Sequence, residues 1–198
     1  MKPFENFDWT NFWNDSDYAK KAYIGKAPTD EEISEIEKEL GYKLPQSYIE
    51  LIKKHNGGIP VPRVFLTDDY EINITGIFGI DRTKRHSLCG ELGSAFMISE
   101  WGYPNIGIAV ADTISGGHDM IFLDYRECGK DGEPKVVVVD QESDYRIGVL
   151  ADTFEDFIKG LTIDATEMEN EDFALLDENQ KCLAIKFLQE MQEEERVI

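Results

Sequence analysis

The stretch "NIGIAVADTISGGHDMIFLDYRECGKDGEPKVVVVD", residues 105–140, decides the fold. Its runs NIGIAVAD, DMIFLDY and PKVVVVD are short and rich in the β-branched and aromatic side chains that suit a pleated surface. The separators TISGGH and RECGKDGE carry the Gly and Asp that turns require. An antiparallel meander of three strands is the economical topology. The unbroken Val136–Val139 run predicts a central strand covered on both faces.

Within this stretch, Gly116-Gly117-His118-Asp119 invites a chemical reading. A phosphate cradle would need GxxxxGK[ST], or GxGxxG between a strand and a helix; here another strand follows, so no helix N-terminus faces an anion. A metal centre would need convergent ligands, but His55, His86 and His118 form no HxxxH or HExxH spacing. His118 and Asp119, adjacent on a strand, point to opposite faces. Assembly in space from Asp112, His118 and Asp124 stays open at this level. There is no GxSxG elbow, and neither Cys89 nor Cys128 sits in a nucleophile signature. The hairpin reading accounts for all four residues: the glycines supply positive φ, and Asp119 caps exposed backbone N–H groups.

Helices flank this β-rich centre. In PTDEEISEIEKELG, Thr29 and Glu32 form a capping box, Asp30 and Glu31 suit the positive end of the dipole, and Gly41 can take the left-handed stop. Ile33, Ile36 and Leu40 give it one buried stripe. A second helix begins at Pro45, which suits a first turn, and runs through Tyr48, Leu51, Ile52 and His55 to the NGG at 56–58, with His55 near its end as a cap. YEINITGIFGI (70–80) predicts a strand, GSAFMISEWG (93–102) a short helix, and DTFEDFIKGL (152–161) a helix opened by Asp152 or Thr153. Residues 1–28 form an aromatic segment (Phe4, Phe7, Trp9, Phe12, Trp13, Tyr18, Tyr23) expected to dock on its own domain. Residues 164–198 carry 11 acidic and 3 basic side chains, with Leu183, Phe187, Leu188 and Met191 on one stripe. They read as an acidic amphipathic helical extension, docked in cis or offered to a partner.

Composition bounds the function. The 198 residues are 41% hydrophobic, enough for one core with an appendage. Forty acidic side chains against 20 basic give a net charge of −20, a field that repels nucleic acid and anionic membranes and steers basic proteins inward. The three cysteines fall in no CxxC spacing, so reduced thiols are expected rather than disulfides or structural zinc. No basic segment with an apolar core opens the chain, and no window approaches the roughly 18 apolar residues of a membrane span. The expectation is a cytoplasmic protein that needs no cofactor.

Taken in order, LGYKLPQSYIELIKKHNGG, ITGIFGI, SEWGYPNIGIAVADTISGGHDMIFLDY, GEPKVVVVDQE and FEDFIKGL resemble the SUKH superfamily, in the branch named after the yeast cell-wall assembly regulator. The resemblance covers residues 29–161. It implies an α+β fold, a twisted and mainly antiparallel sheet flanked by helices, and a binding scaffold without catalytic residues. Its bacterial stand-alone members resemble immunity proteins that neutralise toxins, often nucleases.

These observations lead to a SUKH-like domain over 29–163 that binds a cognate protein toxin, a basic nuclease domain, through an acidic surface. Nuclease clefts are basic, so an acidic inhibitor is steered to them. Expected contact residues are Trp101, Tyr103, Asp112, His118, Asp119, Asp124, Glu142 and Asp144, aromatics for buried area and carboxylates for complementarity. The alternative is a regulatory module for a cellular partner or small ligand. An enzyme or metal protein built on His118, Asp119 and Asp124 is a third possibility. Oligomeric state is open.

Overall fold

The computed structural model describes residues 2–68 and 70–163; the acidic extension expected over 164–198 lies outside the described residues. The elements are β1 (Trp13–Asn14), α1 (Asp17–Ala22), α2 (Asp30–Leu40), α3 (Gln46–Lys54), β2 (Ile59–Pro60), β3 (Val64–Leu66), β4 (Glu71–Ile77), α4 (Ser94–Ser99), β5 (Gly107–Thr113), β6 (Asp119–Asp124), β7 (Lys135–Asp140), β8 (Arg146–Ala151) and α5 (Phe154–Gly160). Strands β3 to β8 form one six-stranded antiparallel sheet in sequence order. The fold is therefore α+β, with the strand expected at 70–80 present as β4 beside the three-strand meander, and β3 and β8 added at the two edges.

Register shifts at Ile74/Gly76, Ala109/Ala111 and Val136/Val137 increase the local twist and curl the sheet toward a barrel. Helix α5 bridges the two outer strands: it follows β8 directly, and its Phe157 ring packs 5.2 Å from Phe65 of β3. Val64 also bridges to Thr162 beyond α5. Val136–Val139 are buried, as expected for a strand with a neighbour on each edge and side chains covered on each face.

The helix ends follow their sequence signals. Thr29 and Glu32 make the reciprocal capping box of α2, and Gly41 closes it at φ 77°. Thr153 Oγ1 accepts the Asp156 N–H at the start of α5. At the end of α3, His55 is the C-cap, and its ring does further work. It stacks on Trp13 at 4.3 Å, with Nε2 3.0 Å from Asp15 Oδ1 and Nδ1 2.7 Å from the Gly57 carbonyl.

The aromatic N-terminal segment lies on the domain. Phe4, Phe7, Trp9, Phe12 and Trp13 make an edge-to-face chain, Phe4 and Phe12 are buried, and the Phe4 N–H donates to Glu155 Oε1 at 2.9 Å. Asn56 then ties three segments together. Its Nδ2 donates to the Lys26 carbonyl at 2.7 Å, its Oδ1 accepts the Ile80 N–H at 2.8 Å, and its carbonyl accepts the Gly25 N–H at 2.9 Å. A side chain at Gly79 would stand 2.4 Å from that carbonyl, so this crossing requires glycine there. Among the described residues no helix is long and apolar enough to cross a membrane.

Candidate functional site

One end of the sheet gathers the turn after β5, the turn after β7 and the loop after α4. The first turn, residues 114–117, is the expected hairpin, with Gly116 at φ 70° and Gly117 at φ 109°. Its capping differs from expectation. Asp119 does not cap with its side chain; its own N–H donates to Ser115 Oγ at 2.7 Å, and Thr113 Oγ1 donates to the Asp119 carbonyl at 3.0 Å. Two hydroxyls between β-branched and glycine neighbours do the work assigned to the carboxylate.

Trp101 packs against this turn. A Cβ on Gly117 would stand 3.1 Å from the indole, and the His118 ring meets the indole edge-on at 5.9 Å. The Trp101 carbonyl is held from the second turn, by the Tyr145 hydroxyl at 2.6 Å and Gln141 Nε2 at 3.4 Å. Tyr103 pins the first turn from beneath, donating from its hydroxyl to the Gly117 carbonyl at 2.6 Å. In the second turn Asp144 and Tyr145 both have φ 56°, a costly conformation for a bulky side chain. The Tyr145 hydrogen bond and its edge contact with Tyr103 at 5.5 Å hold it there.

Carboxylates surround this aromatic knuckle. Asp119 is opposite Asp140 across β6 and β7, and Glu142 Oε1 lies 3.4 Å from His118 Nδ1. Burial pushes the Asp119 carboxyl above its ordinary range; the negative charges of Asp140 and Glu142 add to this, while His118 opposes it. Asp140 goes the other way. The Ser143 hydroxyl and N–H, with Arg146 at 3.3 Å, hold it below the usual carboxylate range.

Five of the residues expected from sequence, Trp101, His118, Asp119, Glu142 and Asp144, thus share this end of the sheet, with His118, Glu142 and Asp144 exposed. The other three are placed differently. Tyr103 is in the core, its ring stacked 5.5 Å from Phe122, because its long side chain reaches inward to the Gly117 carbonyl. Asp112 is 9% exposed: the Tyr23 hydroxyl donates to its oxygens at 3.0 and 2.8 Å, and His86 Nδ1 lies 2.7 Å from Oδ2. Tyr23 stacks on His86 at 4.3 Å, which closes the triad. Asp124 is buried at the opposite end of β6, gripped by the Arg126 guanidinium through Nε at 2.9 Å and Nη2 at 2.6 Å. Burial pushes its carboxyl up, but the Arg126 guanidinium and N–H outweigh that and hold it low.

Asp112, His118 and Asp124 therefore do not converge. Among the described residues no group of three or more His, Cys, Asp and Glu could hold a metal ion. A cleft of about 280 Å³ lies elsewhere, bordered by Lys26, Glu32, Glu35, Asp81 and Arg82 with Ile36 and Ile80. Several of its polar groups are engaged within the fold: Glu32 in the capping box, Asp81 with Thr83, and Arg82 with Glu39. Sequence reasoning missed Tyr23 and His86 as partners of Asp112, since each is remote in sequence from it.

The chain is a curled antiparallel meander flanked by helices, with aromatic and acidic side chains gathered at one strand end. The model of the SMI1 / KNR4 family (SUKH-1) matches residues 27–160, and the chain belongs to that family. Domains of this family are protein-interaction modules, generally immunity-like and non-catalytic. No curated protein matches the chain.

Proposed function

We propose that this protein is a cytoplasmic, non-enzymatic immunity protein that neutralises a cognate toxin, a basic nuclease domain, through the acidic and aromatic sheet end. The observation that carries the reading is Asp119. It lies opposite Asp140 at the strand end, and partial burial first, then the charges of Asp140 and Glu142, make its carboxyl harder to ionise, so the fold keeps an unfavourable charge there. A basic partner supplies the missing positive charge, and the knuckle supplies contact area on strand ends that need little reorganisation. The net charge of −20 adds long-range steering toward such a partner.

The test is co-expression with basic nuclease toxin domains, beginning with any encoded beside this chain's gene. Cells should survive with the wild type and lose protection with Glu142→Lys combined with Asp144→Lys, both exposed and outside the core. Affinity should fall steeply as salt rises, because rim charges act mainly on the association rate. Full protection by the doubly reversed variant, with salt-independent binding, would sink the proposal.

A further inference from the structure

The turn that supports the acidic knuckle also presents an apolar side chain with no structural role in the domain. Ile114 is 69% exposed, the most exposed of the large hydrophobic side chains among the described residues. A lone exposed aliphatic group is ordinary on a protein surface. This one is held in place. Its N–H donates to the Asn73 carbonyl at 3.0 Å, Thr113 and Ser115 share a hydroxyl contact at 2.7 Å beside it, and Tyr103 clamps Gly117 at the far side of the turn. The hydrogen-bonded turn runs from Thr113 to Gly116, whose N–H donates to the Thr113 carbonyl at 3.4 Å, so Ile114 is its second residue and Gly117 directly follows it.

Trp101 lies against Gly117 on the side of the β7–β8 turn, where Tyr145 holds its carbonyl, and Ile114 hydrogen-bonds on the opposite side, to Asn73 of β4. Between them is bare backbone: a Cβ on Gly116 would meet nothing within 4 Å. The result is a low apolar saddle with a glycine crest, bordered on the β7–β8 side by Glu142, Asp144 and, deeper, Asp119. A large aromatic and a branched aliphatic group around an open backbone, with carboxylates along one border, has the anatomy of an interface centre meeting a charged rim.

We propose that Ile114, with Trp101, is the apolar anchor of the toxin contact, and that it inserts into an apolar socket on the toxin bordered by Lys and Arg side chains. The occupant follows from charge: the saddle's rim is acidic within a molecule of net charge −20, so a neutral or acidic socket would be repelled at that border. This rests on the immunity reading and deepens it. The acidic rim governs encounter, and Ile114 governs how long the complex lasts.

The experiment measures binding kinetics of the intact protein with the toxin domain against which it protects cells in the co-expression test, at several salt concentrations. Ile114→Ala should weaken binding by about ten- to a hundredfold, almost wholly through faster dissociation and with an unchanged salt slope. Ile114→Asp should abolish measurable binding. Val149→Asp is the control, since Val149 is 52% exposed on β8, three strands from β5, and it should bind as the wild type does. Thermal unfolding should be the same for both Ile114 variants, as the side chain supports no packing. If Ile114→Ala and Ile114→Asp bind normally while Glu142→Lys with Asp144→Lys weakens binding, the anchor is overturned and the immunity reading stands. If neither set matters, both fail. If Val149→Asp weakens binding as much as Ile114→Asp, the anchor is also overturned, because the effect would be one of added charge alone.

Discussion

Asn56→Ala should cost far more than its single side chain suggests. The side chain is 3% exposed and makes two hydrogen bonds to main-chain groups of separate segments, the Lys26 carbonyl and the Ile80 N–H. Truncation removes both partners at once and leaves the buried Ile80 N–H without an acceptor. At about 1 kcal/mol for each of the two lost bonds, plus about 1–3 kcal/mol for the unsatisfied group, the loss is about 3–5 kcal/mol. With a urea slope of about 2 kcal/mol/M, the unfolding midpoint should fall by roughly 1.5–2.5 M with little change in slope. Asn56→Asp separates the two bonds. One oxygen still accepts from Ile80, but the other faces the Lys26 carbonyl, an acceptor, so the ionised form is repelled and only the protonated acid can donate there. The introduced carboxyl therefore binds its proton more tightly folded than unfolded. Its deficit relative to wild type should shrink as pH falls from about 7.5 to about 5, toward the unfolded value of about 3.9. A loss below about 1 kcal/mol for Asn56→Ala, or a gap for Asn56→Asp that widens on acidification, would refute the assignment of Asn56 as the tie between these segments.

Tyr23→Phe removes the donor to buried Asp112 and leaves the carboxylate with His86 alone, so stability should fall by about 1.5–3 kcal/mol in urea unfolding at neutral pH. Burial, as the main cause, pushes the phenols of Tyr23, Tyr48, Tyr103 and Tyr125 upward, so in an alkaline absorbance titration these four should ionise only on unfolding. The folded chain then holds more protons than the unfolded one above about pH 10, and stability should decline as pH rises past that point. Asp119→Asn relieves a carboxylate destabilised by burial and by Asp140 and Glu142, so it should raise the melting temperature at neutral pH while weakening toxin binding. A lower melting temperature would show that Asp119 is structural.

The strands of 107–140 were legible because each run is apolar, short and bounded by turn residues, and α2 because its caps are local and reciprocal. Strand β8 was not: RIGVLA is an outer strand with an exposed Arg146 and Val149, and Gly148 breaks its pattern to admit the Tyr70 ring. The three residues of β3 are too few to show a period and are fixed by pairing with β4. The placement of the carboxylates was partly hidden for a related reason. Asp112 and Asp119 look alike in sequence, but Asp112 is buried by a tyrosine 89 residues upstream. No local pattern encodes that contact.

What separates the acidic residues is therefore what neutralises them. Asp112 has Tyr23 and His86, Asp124 has a two-pronged Arg126, and Asp140 has Ser143 and Arg146. Each of these is answered from within the fold, and each sits where an unanswered charge would cost stability. Asp119 is the partly buried carboxylate at the knuckle held against its own neighbours, with an exposed histidine as the nearby counterweight. In a chain with twice as many acids as bases, acidity alone points nowhere. An acid left uncompensated at a strand end, beside a pinned aromatic, points to a surface whose charge balance is completed by something else.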